Sequence, residues 1–94
     1  VVVASGVITA VGSFLSVDTE GGASTDDLDT VNGGRAGQML ILKPKNNART
    51  IVAKDNSGNL KLEGDFSMDN ANDALVLIYT GSNWLEVSRS NNAA

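Results

Sequence analysis

Hydrophobic residues in this chain occur in short runs between turn-forming residues, without the three-and-four spacing of an amphipathic helix. The clearest example is the segment 65–92. An apolar run at 75–79 is followed by Thr, Gly, Ser and Asn at 80–83, and then by alternating apolar and polar residues at 84–88. Two β-compatible runs separated by such residues predict two strands joined by a short turn.

The rest of the chain repeats this pattern, with strand starts at roughly ten-residue spacing, which is typical of sandwiches, barrels and β-helical or prism folds. Pro44 is expected to end one strand, because proline cannot donate to a β-ladder. No helix is available as a crossover, so a parallel βαβ fold is excluded. The predicted fold class is all-β, with short antiparallel strands forming a sandwich or β-prism-like module. The further predicted strands cover residues 7–11, 13–17, 38–42, 50–54, 59–62 and 66–68.

Two of the predicted strands, 39–42 and 75–79, are apolar on both faces and therefore need cover on both faces. Two arrangements provide that cover: a homotrimer, or a monomeric two-sheet sandwich. Two groups of residues are predicted to matter. Core or subunit contacts are assigned to Leu40, Leu42, Leu75, Leu77 and Tyr79, and closure of the C-terminal strand pair to Trp84, Leu85 and Val87.

Composition narrows the classes of function. The 94 residues predict one domain, 1–94. The chain has no cysteine and no histidine, which removes thiolate chemistry, the usual neutral-pH general base and the commonest metal ligand. A net charge of −4 disfavours a nucleic-acid partner, and no apolar stretch is long enough for a membrane span. Residues 1–5 are interpreted as an arm or linker that adds a strand to a partner.

Residues 18–34 are predicted to form an acidic, glycine-rich loop. Carboxylates of this kind suit Ca²⁺, but their spacing does not match an EF-hand. A solvated loop with turn-capping side chains is the favoured interpretation, so no metal or cofactor is predicted. The calcium alternative would use Asp18, Glu20, Asp26, Asp27 and Asp29.

No catalytic residue is predicted. Carboxylate pairs for glycoside hydrolysis can be drawn from several acidic residues, but nothing marks one as an acid with a raised pKa. The acidic residues in question are Asp65, Asp69, Asp73 and Glu86. Glu86 and Arg89 are three apart, so on a regular strand they face opposite sides.

A set of motifs occurs along most of the chain, at residues 37–42, 48–52, 55–62, 64–66, 75–79 and 81–90. Together they cover roughly residues 5–92 and resemble a module of tailed-bacteriophage fibre, spike and other virion surface proteins. Two upstream segments, 17–20 and 25–34, are similar to the same proteins. The resemblance implies a trimeric β-module with chains side by side around a threefold axis, and no enzymatic activity.

The function expected from the resemblance is that of a virion structural protein, a trimeric module of a fibre, spike or capsid-surface projection. Two alternatives stay open: a capsid decoration protein bound to the major coat protein, and a receptor- or glycan-binding tip. The expected partners are further copies of the chain, coat or fibre proteins, and host surface glycan. The expected location is the virion surface.

Overall fold

The computed structural model describes residues 1–92, so residues 93 and 94 of the predicted single domain lie outside the described part. The all-β prediction is confirmed: within these residues the only helical element is a 3₁₀ turn at Glu20–Gly22. The strands are β1 Val7–Thr9, β2 Phe14–Val17, β3 Thr25–Leu28, β4 Thr30–Asn32, β5 Met39–Pro44, β6 Thr50–Ala53, β7 Leu60–Lys61, β8 Phe66–Met68, β9 Ala74–Tyr79 and β10 Trp84–Ser90.

The strands form three sheets that enclose one hydrophobic core. One sheet has two strands in the order β1-β4, the second has five in the order β2-β5-β9-β10-β7, and the third has three in the order β3-β6-β8. Ile8, Leu40 and Ile51, one from each sheet, are all buried in the same cluster. The arrangement is solenoid-like, since successive passes of the chain add one strand to each sheet in turn.

The first pass, residues 1–29, is called the first coil here, and residues 30–54 are the second coil. β1, β2 and β3 pair in parallel with β4, β5 and β6. Val7 lies opposite Thr30, Phe14 opposite Ile41, and Thr25 opposite Thr50, so one coil spans about 25 residues.

The antiparallel prediction is therefore wrong for much of the molecule. Four of the strand pairings in the described residues are parallel and three are antiparallel. Parallel strands need a crossover of a dozen or more residues, which is usually a helix. Here the crossover from β2 to β5 is made by β3, β4 and their turns, so the other two sheets take the helix's place.

The remaining residues, 55–92, form a third layer that changes direction. β8 and β9 run antiparallel to β6 and β5, and β10 lies between β9 and β7. The Asn59 side chain continues the two-stranded sheet: its Oδ1 accepts the Val31 amide at 2.9 Å and its Nδ2 donates to the Val31 carbonyl at 2.8 Å. A side-chain amide thus satisfies backbone groups that a third strand would otherwise pair.

The predicted loop at 18–34 is also wrong, because it contains β3 and β4. Among the many acidic and glycine residues of this segment are two buried apolar side chains, Leu28 and Val31, which are at most 1% exposed. Asp26 and Asp27 share a short strand with Leu28, and their carboxylates remain at least partly accessible. Backbone pairing with β6 overrides the turn-forming tendency of the composition.

The predicted N-terminal arm is folded onto the chain itself. Val2 pairs in parallel with Asp18, Val3 donates its amide to the Asp18 carbonyl at 3.0 Å, and the Val3 side chain is fully buried. The 1–3 segment therefore extends the edge of the five-stranded sheet beside β2.

The predicted C-terminal strand pair is confirmed as the antiparallel β9–β10 hairpin. Its turn is closed by a hydrogen bond in which the Thr80 amide donates to the Asn83 carbonyl at 2.9 Å, and Gly81 has a φ of 102°. Trp84 begins β10 and is fully buried, and its Nε1 donates to the Val31 carbonyl at 3.1 Å. The indole thus connects the hairpin to the second coil.

Gly58 of the third layer packs closely against the junction between the first and second coils. A Cβ at this position would overlap the Asp29 carbonyl oxygen and the Thr30 hydroxyl. We expect Gly58→Ala to lower the free energy of unfolding by about 2 kcal/mol or more, because backbone atoms must move. The control is Gly12→Ala, where the nearest atom would be 4.0 Å away. Denaturant unfolding of both variants provides the comparison, and equal stabilities would contradict this packing.

Candidate functional site: the outer face of the five-stranded sheet

The main candidate site is the face of the five-stranded sheet that points away from the core. Strand register places two rows of side chains across this face. One row runs Phe14, Ile41, Val76 and Ser88, and the other runs Met39, Ile78, Leu85 and Lys61. Both rows are apolar over three successive strands and become polar only at their β10 or β7 end.

The apolar members of these rows, together with Val87, are called the outer apolar face. Phe14 is 61% exposed, Met39 44%, Leu85 41% and Val87 54%. Ile41, Val76 and Ile78 lie between them and are half-buried. Single exposed apolar residues are ordinary on a protein surface, whereas a contiguous set across four strands is typical of an interaction surface.

The sequence-predicted core or interface residues differ in their burial and in the face they occupy. Leu40, Leu42, Leu75, Leu77 and Trp84 are fully buried on the inner side. Tyr79 is half-buried, with its ring centroid 4.8 Å from that of Trp84. Leu85 and Val87, expected to close the hairpin, lie on the outer face instead.

Five residues of the outer apolar face were not among the predicted core or interface residues: Phe14, Met39, Ile41, Val76 and Ile78. The signal that identifies four of them is the alternate position within each two-sided apolar strand. The inner set follows the even numbers in β5 and the odd numbers in β9, and the complementary positions face outward. Phe14 can be identified as part of this face only when the strand order is known, because the β2–β5 pairing places it next to Ile41.

The expectation that Glu86 and Arg89 face opposite sides is wrong. The β9–β10 register shifts between Glu86 and Ser88, so that Glu86 lies opposite Leu77 and Arg89 opposite Leu75. This β-bulge adds one residue to β10 and brings the two charged side chains to the same side. Arg89 Nη2 donates to Glu86 Oε1 at 2.6 Å, and Nε donates to Oε2 at 2.8 Å.

This ion pair fixes the end of the five-stranded sheet. The Arg89 guanidinium lies 4.7 Å from the centre of the Phe66 ring and donates to the Gly64 carbonyl at 2.9 Å. The Arg89 hydrogen bonds hold the pKa of Glu86 below its ordinary value despite burial, and Glu86 in turn raises the pKa of Arg89. Both groups are thereby engaged in structure.

The five candidate calcium ligands do not converge. No group of three acidic side chains in the described residues is arranged to hold a metal ion. Asp18 is bound at both carboxylate oxygens by Arg49 Nη1, at 3.0 and 2.8 Å, which lowers its pKa. Glu20 accepts the Ser5 amide, Asp26 accepts the Glu20 amide, and Asp29 accepts the Thr30 hydroxyl. Asp27 is exposed on β3.

Three of the four carboxylates considered for hydrolysis, those of Asp65, Asp73 and Glu86, are likewise engaged in local structure. Asp65 pairs with Lys54 at 2.9 Å, and Asp73 accepts the amides of Asp69, Asn70 and Asn92. An open groove of about 500 Å³ lies elsewhere, between residues 45–49 and Ala71. Its lining contains Lys45, two asparagines and Arg49, which is already paired with Asp18, and no aromatic ring.

No protein-family model and no curated protein matches this chain. Within residues 1–92, no helix has the length and apolar character needed to cross a membrane. The outer apolar face is therefore interpreted from its own geometry.

The Glu86–Arg89 pair predicts how stability depends on pH. The pKa of Glu86 is lowered in the folded state, so its contribution is present above the ordinary value of 4.5 and is lost as pH falls through the folded value. We expect Glu86→Gln to lower the melting temperature at pH 7 and to reduce the melting-temperature difference between pH 7 and pH 3. An unchanged pH difference in thermal unfolding would contradict this role.

Proposed function

We propose that this chain is a non-enzymatic structural module of a bacteriophage virion surface appendage, assembled as a homotrimer through the outer apolar face. The appendage is a fibre, a spike or a capsid-surface projection. The observation that carries the proposal is the pair of apolar rows that run across β2, β5, β9 and β10 on the side of the sheet away from the core. The virion assignment and the number of copies are supported by the sequence motifs described above.

The chemistry of the face favours another copy of itself as the partner. Charged side chains lie only toward its margins, at Lys43 in β5 and at Lys61 in β7. The apolar side chains of the face gain most from burial against a matching apolar surface. Closed rotational symmetry is the usual route for homo-oligomers. Around a threefold axis, each copy would turn this face toward both neighbours.

The size of the face fits an interface that includes flanking residues. Five strands at about 4.8 Å spacing, with central strands of about 20 Å, give a flat area of roughly 480 Å². A standard interface buries about 800 Å² per partner. The adjoining turns, including the exposed residues of the 80–83 turn, would therefore contribute to the subunit contact.

The glycan-tip alternative has less support. Trp84 is fully buried and Tyr79 half-buried against it, so neither presents an open ring face for a sugar. The decoration alternative requires a free N-terminal arm that binds a coat protein. Residues 1–3 are instead bound to residues 16–18 of the same chain, so this alternative also has less support.

The test of self-association is a pair of lysine substitutions on different sheets. We expect the unmodified protein to have three times the 9.7 kDa chain mass, and Ile78→Lys to yield folded monomers. Ser67→Lys is the control, because Ser67 is an exposed strand residue of the three-stranded sheet. Sedimentation equilibrium gives the masses, and circular dichroism confirms that each variant is folded. A monomeric parent protein, or a folded Ile78→Lys trimer, would overturn the proposed assembly.

The virion assignment has its own test. Purified virus particles from the source of this gene should contain the chain by quantitative peptide mass spectrometry, in a copy number divisible by three. Its absence from the particles would refute the assignment while leaving the trimer untouched.

A further inference from the structure

Charge in this chain is layered along the solenoid. The first coil carries five acidic residues and no lysine or arginine. The second coil carries five basic residues and no acidic one. The third layer carries six acidic and two basic residues. The two outer layers are therefore negative and the middle one is positive.

Two ion pairs connect neighbouring layers. Arg49 of the second coil binds Asp18 of the first, and Lys54 of the second coil binds Asp65 of the third. Asp27 also acts on Lys54, since its charge helps to raise the Lys54 pKa. Within the molecule, alternating charge thus favours the order in which the layers stack.

Within residues 1–92, the first coil leaves one strand edge unpaired, where another strand could pair. β3 is an edge strand of its sheet, bonded to β6 on one side. Thr25 and Asp27 on this strand are exposed. Unpaired strand edges are ready templates for another chain, and natural proteins often protect them with charged side chains.

Carboxylates of the first coil also accept backbone amides of the same coil. Glu20 Oε1 accepts the Ser5 amide at 2.9 Å, Asp26 Oδ2 accepts the Glu20 amide at 2.7 Å, and Asp18 Oδ1 accepts the Thr19 amide at 2.9 Å. Three backbone amides of the first coil are thereby satisfied by side chains. Solenoids require such polar terminal layers to stay soluble.

We infer that the first coil is an acidic cap that prevents copies of this chain from stacking end to end, so that association is lateral only. A copy placed on the β3 edge at the usual strand spacing of about 4.8 Å would lie well within the Debye length of about 8 Å at physiological ionic strength. Its own two end layers are both acidic, so either orientation brings like charges together. The inference rests on the proposed lateral trimer, because axial stacking would convert a closed assembly into a filament.

The test removes the two carboxylate charges of β3 while keeping the shape of the strand. Asp26→Asn/Asp27→Asn retains a side-chain oxygen that can accept the Glu20 amide, and Asp26→Glu/Asp27→Glu is the charge-conserving control. We expect the Asn variant to show a weight-average mass that rises several-fold with concentration, and filaments by electron microscopy. The Glu control should keep the mass of the parent protein.

Adding Ile78→Lys to both double variants separates axial from lateral association. In that background the Asn variant should form filaments one chain wide, and the Glu control should remain monomeric. Equal masses for the folded Asn and Glu variants at all concentrations would overturn the inference. Failure of Ile78→Lys alone to change the parent mass would instead count against the proposed trimer.

Discussion

The structure depends on parallel pairing between two successive coils of the same chain. Once β1, β2 and β3 are followed by β4, β5 and β6 in register, three short sheets share one core without any helix. Three-residue strands such as β1 and β4 are marginal alone, but here each pairs with a strand of the neighbouring coil and is supported by buried side chains from the other sheets. The third layer then closes the core with Trp84 and the β9–β10 hairpin.

This arrangement explains why the central strands are apolar on both faces. β5 and β9 lie next to each other within the five-stranded sheet, so their inner residues seal the shared core. The other two sheets cover only that inner side. Ile41, Val76 and Ile78 are left on a surface that residues 1–92 do not cover fully, which is the physical basis for proposing that further copies do so.

The sequence was informative where local pattern decided the structure. The β9–β10 hairpin followed from the apolar run, the turn residues and the alternation after Trp84, and the strand ending at Pro44 followed from the missing amide. The direction of pairing could not be read locally, because Phe14 and Ile41 are neighbours only through the crossover. β3 was not predicted because its two aspartates are typical of a loop. The Glu86–Arg89 pair was not predicted because it depends on a one-residue β-bulge.

The central claim is that the outer apolar face is buried between copies of the chain, and oxidative footprinting of the two methionines tests it most directly. Met39 is 44% exposed on the outer face of the single chain, whereas Met68 is fully buried in the core and serves as the internal reference. The account predicts that Met39 oxidation is strongly suppressed in the assembled protein and restored on dilution to monomer, while Met68 stays protected throughout. Equal oxidation of Met39 in the assembly and in the monomer would contradict it.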